Sequence, residues 1–377
     1  MKKIYLIAIL IIGLFLISGC TQKTYSDNDA GNENSIKAAT EKATTEEKSE
    51  ANLLLKGITL SPKSFQGSDF TGFFEKAKEI GNNNEKETGK DNEVIISWSG
   101  DWNELSNLNN GGPKGITELA KTYDYTPLVI AQFFTQSSGK LLRPLDETQK
   151  QAYKNNALEF AEKYKPAYLT FGIEINTLYE KYPNDFEAFI KLYNDIYDAV
   201  KATSPNTKIF TIFQLEKMKG LNGGLFGGEN DEEKAQWFLI GKFKTDIIAF
   251  TTYPGLIYKN PSEIPDDYYS SIETNVETNL LESYKQTPIA FTEIGWHSDA
   301  SITGWESSEE EQAEFVERFF ELTKELSKGA DKQTETNIEF LIWSFMYDQN
   351  TIPPFNSMGL IDKEGNSKAG WRIWTEK

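Results

Sequence analysis

Eight short runs rich in β-branched, aliphatic and aromatic residues recur along this chain, separated by longer helix-like segments. That recurrence limits the fold more than any other feature. The runs are Leu54–Leu60, Val94–Trp98, Pro127–Phe134, Ala167–Ile175, Lys208–Leu215, Ile247–Tyr253, Ile289–Gly295 and Glu339–Phe345. Their starts lie 40, 33, 40, 41, 39, 42 and 50 residues apart. No motif repeats from unit to unit, so the regularity belongs to strand–helix units rather than to sequence repeats. The segments between them carry helix signals. Phe70, Phe73, Phe74 and Ala77 follow helical spacing, with a stop expected at Gly81. Asp146 is positioned to cap a helix that ends before Pro166. Phe186, Phe189, Ile190, Tyr193, Ile196, Tyr197 and Val200 form one stripe ending near Pro205. Ser308 precedes an acidic helix start, and Gly329 is placed to end that helix. Glu229–Lys242 is a weaker helical segment.

Strands separated by helices pair in parallel, because a right-handed crossover needs a helix-sized connection. Eight such units over about 300 residues fit an α/β fold with a single (β/α)8 TIM barrel. An open doubly wound sheet is the alternative, but it calls for a Gly-rich phosphate loop after its first strand. Here that stretch reads Ser61-Pro62-Lys63-Ser64-Phe65.

What precedes the first run reads as an address and a spacer. Lys2 and Lys3 are followed by an apolar run to Ile17, too short for a comfortable membrane span. Ile17-Ser18-Gly19-Cys20 resembles the lipobox of prokaryotic lipoproteins. The resemblance implies a signal peptide over 1–19 and acylation of Cys20, the only cysteine. The alternative is an ordinary signal peptide or an uncleaved anchor. Residues 20–50 hold almost no large apolar side chain and read as a lipid-anchored, disordered tether. Residues 51–377 form the barrel. A cell-envelope location, outside the cytoplasmic membrane, is expected, with contact to lipid through Cys20 only.

Composition excludes several chemistries. One Cys and one His leave no disulfide framework and argue against Cys- or His-based metal sites. The formal charge of −18 disfavours nucleic acid. No metal or cofactor is expected, and the domain is expected to be a monomer.

Two carboxylates stand out at the ends of apolar runs, Glu174 in the fourth and Glu293 in the seventh. A barrel places its chemistry at the C-terminal ends of its strands. Burying a carboxyl there is costly unless it is paired or used. Strand alternation puts Gly172, Glu174 and Asn176 on one face, and Phe291, Glu293 and Gly295 on one face. Two such carboxyls are what glycosidic cleavage requires, one to protonate the leaving oxygen and one to attack carbon or activate water. For each Glu the alternative is a buried partner of a Lys or Arg.

Phe171-Gly172-Ile173-Glu174-Ile175-Asn176 and Thr292-Glu293-Ile294-Gly295-Trp296 resemble the acid/base and nucleophile strands of clan A glycoside hydrolases, including galactanase-like families. The resemblance implies a retaining (β/α)8 hydrolase acting on β-linked poly- or oligosaccharide, with Glu174 as acid/base and Glu293 as nucleophile. It also implies that Tyr253, in Thr252-Tyr253-Pro254, hydrogen-bonds the nucleophile, and that Trp343 floors the sugar site. Gly359-Leu360-Ile361-Asp362 and the segment to Trp371 resemble the final loop and helix of such barrels. Two departures stand against it. Most members carry Asn before the acid/base, where this chain has Ile173, and many use an Arg on strand 2, absent from Ser97–Trp102.

Sugar sites combine aromatic faces with polar groups. Trp98, Trp102, Phe134, Tyr179, Trp296 and Trp305 are further aromatic candidates, and Asn176, Gln132 and Asp101 are polar ones. Glu216, Asp348 and His297 lie at strand ends with solvated or packing roles as alternatives. Asn222–Gly228 with Glu229, Asn230 and Asp231 reads as a flexible loop, with Ca²⁺ binding as the alternative. Two other functions stay open: a carbohydrate-binding barrel without effective catalysis, and a two-lobed solute-binding lipoprotein.

Overall fold

The computed structural model describes residues 54–88, 94–106, 111–281, 284–326 and 337–377. The signal segment, Cys20 and the tether expected over 20–50 lie outside the described residues, as does Gly329.

The strands are β1 (Lys56–Thr59), β2 (Ile95–Asp101), β3 (Thr126–Gln132), β4 (Tyr168–Phe171), β5 (Lys208–Phe210), β6 (Ile212–Gln214), β7 (Ile248–Thr252), β8 (Ile289–Ile294) and β9 (Ile338–Trp343). All pair in parallel, in the order β5-β4-β3-β2-β1-β9-β8-β7-β6. The two ends of that order, β5 and β6, are separated in the chain by Thr211 alone. The fifth expected strand is therefore one strand broken in two, and through it the sheet closes. Thr211 Oγ1 donates to Phe171 O at 2.8 Å, and Ile212 N reaches Gly172 O at 3.3 Å. A single closed barrel has no second lobe and no hinge, which removes the solute-binding alternative for the described residues.

The helices are α1 (Gly67–Thr88), α2 (Gly112–Tyr123), α3 (Glu147–Tyr164), α4 (Ile175–Lys181), α5 (Pro183–Thr203), α6 (Leu215–Met218), α7 (Ser271–Asn279), α8 (Glu309–Leu326) and α9 (Ala369–Glu376). Asp146 caps α3 by accepting from Gln149 N at 2.8 Å. Ser308 Oγ accepts from Glu311 N at the start of α8. Contrary to expectation, α1 runs through Gly81. A helical glycine costs only about 1 kcal/mol, and buried Phe73, Phe74, Ala77 and Ile80 fix this helix to the barrel. The segment Glu229–Lys242 forms two 3-10 turns, Glu232–Lys234 and Trp237–Lys242, instead of an α-helix.

Two cores follow from strand alternation. Ile95, Leu128, Ile130, Tyr168, Phe210, Ile212, Ala249, Ala290, Phe340 and Ile342 fill the lumen. Tyr168 and Phe340 meet at 5.0 Å although β4 and β9 are not neighbours, so this contact crosses the barrel. Alternate residues, such as Ile96, Leu169, Phe250 and Leu341, face outward and pack with the helices.

Candidate active site

β4 ends at Phe171, three residues before Glu174. Gly172 takes φ +78°, and a Cβ there would lie 2.7 Å from Ile175 Cγ2, so any side chain would be strained. Ile173 then turns into the lumen core, with its N–H held by Gln132 Oε1 at 3.0 Å. Glu174 follows at φ +54°, in the left-handed region, as the residue before α4. That conformation costs a non-glycine residue roughly 1 kcal/mol or more. The expected strand face shared by Gly172, Glu174 and Asn176 is therefore replaced by a turn. Asn176 sits in α4, where its amide exchanges two hydrogen bonds with the backbone of Gln214, at 3.1 and 3.0 Å.

Glu293 is aimed by a different device. Ala249 pairs with Ala290 and Phe250 with Phe291, but Thr251 pairs with Glu293. Thr292 is the extra residue of a β-bulge. Phe291 points outward, onto Tyr269 and Phe319. Strict alternation would send Glu293 the same way; the inserted residue reverses the parity and turns it inward. The expected common face of Phe291 and Glu293 does not exist.

Thr251 touches both segments that carry the carboxyls. It lies beside Glu293 in the ladder, and its Oγ1 donates to Glu174 Oε1 at 2.9 Å. Gln136 also hydrogen-bonds Glu174. Tyr253 OH donates to Glu293 Oε2 at 2.6 Å, and Ser344 Oγ lies 2.9 Å from the same phenol oxygen. Both carboxyls are buried, with Glu174 3% and Glu293 4% exposed. Burial pushes Glu174 up to about 7, opposed by the bond from Thr251. Burial, with the charge of Glu174 added, pushes Glu293 up to about 8, opposed by the bond from Tyr253. Like charges in one dry site resist double ionisation, so the pair titrates as a unit and holds a proton near neutrality.

The tryptophans fall elsewhere. Trp343 faces outward from β9, packs near Phe315 and Trp374, and donates its N–H to Met358 O at 2.9 Å. Trp296 stacks on Phe315 and donates to Ser307 Oγ. Trp98 belongs to the outer core, its ring lying against Gly100. Trp102 stacks between Tyr153 and Phe171. All four belong to the outer core; strand parity turns Trp98 and Trp343 that way, whereas Trp102 and Trp296 lie beyond the ends of β2 and β8. His297 is buried, with Nε2 3.0 Å from Trp305 O.

The polar candidates are engaged in the scaffold. Asp101 forms two hydrogen bonds with Arg143, at 2.8 and 2.7 Å. Asp348 pairs with buried Lys368 at 2.8 Å. Gln132 and Asn176 hold backbone, as described above. The Gly-rich loop is tied by Asn230 Oδ1 to Gly223 N and by Gly228 N to Asn222 O. Its Leu225 and Phe226 join Tyr253, Leu256, Phe345, Phe355 and Met358 in an apolar cluster at Tyr253. Sequence reasoning missed Thr251, Gln136, Ser344 and this cluster. The Thr251-Thr252-Tyr253 run was the one available signal.

No family profile and no curated protein matches the chain. Solved structures do resemble it. A GH5_18 protein from Streptomyces cattleya, in complex with Manβ1-4GlcNAc, superposes with a TM-score of 0.59 at 13% identity, over 86% of this chain and 80% of that one. A GH5_18 protein from Bifidobacterium longum subsp. infantis gives 0.57 at 14%, over 86% and 78%. A family 39 glycoside hydrolase from the gut symbiont Bacteroides cellulosilyticus WH2 gives 0.54 at 14%, over 85% of this chain but 62% of that one. The chain also spans only 49% of a β-D-glucuronidase for Dictyoglomus thermophilum. These likenesses establish the fold, a closed parallel (β/α)8 barrel of the kind those hydrolases share.

Proposed function

We propose that this protein is a retaining glycoside hydrolase for β-linked poly- or oligosaccharides, with Glu174 as acid/base and Glu293 as nucleophile. The observation that carries the reading is a pair of buried carboxyls, Glu174 held by Thr251 Oγ1 and Glu293 by Tyr253 OH, with the charge of Glu174 felt at Glu293. Glu174 protonates the leaving oxygen while Glu293 attacks the anomeric carbon, breaking the glycosidic bond and forming a glycosyl ester. Glu174, now ionised, takes a proton from water as that water displaces Glu293. One proton on the pair is what the first step needs. Positive charge developing on the sugar favours the anion at Glu293, leaving the proton on Glu174.

The test is hydrolysis of a panel of aryl β-glycosides and β-linked disaccharides, the mannosyl–N-acetylglucosamine disaccharide of the similar GH5_18 structure among them. Glu293→Gln and Glu174→Gln are each expected to lower turnover at least about 100-fold while keeping the parent's melting temperature. Undiminished turnover in either variant removes that residue from the mechanism. A second reading is favoured by Ile173. It packs in the lumen core where most of the hydrolases it resembles carry an Asn, and β2 carries no Arg. On that reading the barrel binds glycan and turns it over poorly or not at all; glycan binding with no product over hours is its signature. The location proposed is the outer side of the cytoplasmic membrane, through an acylated Cys20. Mass spectrometry of the membrane fraction tests it, and an unmodified Cys20 ends it.

A further inference from the structure

Glu216 has no part in the chemistry proposed above, yet it is fully buried next to it. It lies in α6, two residues after β6 ends. Its Oε1 accepts three hydrogen bonds, from Thr252 Oγ1 at 3.0 Å, Tyr253 N at 2.9 Å and Tyr268 OH at 3.0 Å. Its Oε2 is buried with no partner. Burial holds this carboxyl above the usual range. The charged and titratable groups acting on or around it are Glu174, Lys219, Tyr258, Tyr268 and Tyr269. Burying a carboxyl with one oxygen unsatisfied costs free energy that an apolar side chain would not.

What Glu216 grips explains the cost. Two of its three donors are the consecutive residues Thr252 and Tyr253, where β7 leaves the sheet. Tyr253 takes φ −135° and ψ 67° there, outside the strand region. Its ring must deliver a phenol to Glu293 Oε2. A small rotation at the Tyr253 backbone sweeps the phenol oxygen through a much larger arc, because the ring is a long rigid lever. Ser344 Oγ steadies the far end of that lever. We infer that Glu216 is a positioning residue that clamps the backbone of Tyr253 and so sets the phenol on Glu293. The inference rests on the reading of Glu293 as nucleophile.

The experiment compares Glu216→Leu, Glu216→Gln, Tyr268→Phe and Tyr253→Phe with the parent, all as full chains. One measurement is independent of turnover: the titration of Glu293 followed by carbon NMR with carboxyl-labelled glutamate, assigned through Glu293→Gln. The other is the pH profile of kcat on an aryl β-glycoside that the parent cleaves. In Glu216→Leu, Glu293 is expected to titrate at higher pH, as in Tyr253→Phe, because the phenol no longer supports its anion. The acid limb of the kcat profile moves up with it, and kcat falls at least about 10-fold with KM within about threefold. Glu216→Gln keeps an acceptor oxygen and restores the parent titration to within a few tenths of a pH unit. Tyr268→Phe removes one donor outside the site and shifts Glu293 less, in the same direction as Leu. A folded Glu216→Leu with the parent's Glu293 titration overturns the inference. If Leu prevents folding, Tyr268→Phe decides instead, and a parent-like Glu293 titration in that variant overturns the inference. If the parent cleaves no glycoside, the catalytic reading fails while the titration still decides the positioning.

Discussion

Thr251 holds Glu174 through its side chain and neighbours Glu293 through its backbone, and its role separates cleanly from theirs. Its hydroxyl donates to Glu174 and favours the ionised form. Replacing it with valine keeps the shape and removes the donor, so Thr251→Val is expected to raise Glu174 further. If Glu174 is the acid, the alkaline limb of kcat/KM then moves to higher pH by roughly half a unit, the size of one modest hydrogen bond. On the proposed mechanism, activity needs one proton on a pair whose members sit at about 7 and about 8. Below that window Glu293 is protonated and cannot attack; above it no acid remains. A bell centred between pH 7 and 8 is expected, and a profile flat from pH 5 to 10 would deny the pair its role. At this scale the sequence showed which residues carry charge in an apolar setting, Glu174 and Glu293 above all. It did not show what each faces. Trp343 and Trp98 fit sugar platforms by residue type, yet one step of strand parity turns their rings into the outer core, where Trp296, beyond the end of β8, also packs.

At the scale of elements, the strands were legible because a parallel strand covered on both faces must be a short apolar run. The irregularities that aim the chemistry were not. A bulge at Thr292 exists only relative to β7, so no local pattern in β8 announces it. The break at Thr211 is likewise a property of two neighbouring strands, β4 and β7. The turn at Gly172 had one local sign, the glycine itself, inside what read as an unbroken strand. Its backbone lies at φ +78°, with Ile175 and Phe133 against the position of an added Cβ. Gly172→Ala is therefore expected to destabilise the fold by about 1–3 kcal/mol. It is also expected to lower turnover further than the stability loss explains, because Glu174 follows two residues later. Urea unfolding with turnover measured well below the midpoint tests both parts; an alanine variant matching the parent in each would show that this turn bears no strain.

For the whole molecule, the joint between the first strand and the last helix closes the barrel's circuit. β1 pairs with β9, and Lys56 in β1 donates from Nζ to Trp374 O in α9 at 2.8 Å, across 318 residues of chain. Lys56 is buried, and burial lowers its ammonium to about 8 from the ordinary 10.5. The unfolded chain then binds more protons than the folded one between about pH 8 and 10.5, so stability rises with pH across that window. Below pH 8 the ammonium is charged in both states, and the full cost of burying it is present. Lys56→Met fills similar space without a charge and has no such dependence. The stability of Lys56→Met relative to the parent should therefore be greatest at pH 7 and shrink by on the order of 2 kcal/mol by pH 10. Lys219, lowered to about 8 by its own burial, contributes equally to both proteins and cancels. Chemical unfolding of the two proteins at pH 7, 8.5 and 10 measures the difference. A constant gap would mean that Lys56 stays charged in the folded barrel throughout, held by Trp374 O strongly enough to offset its burial.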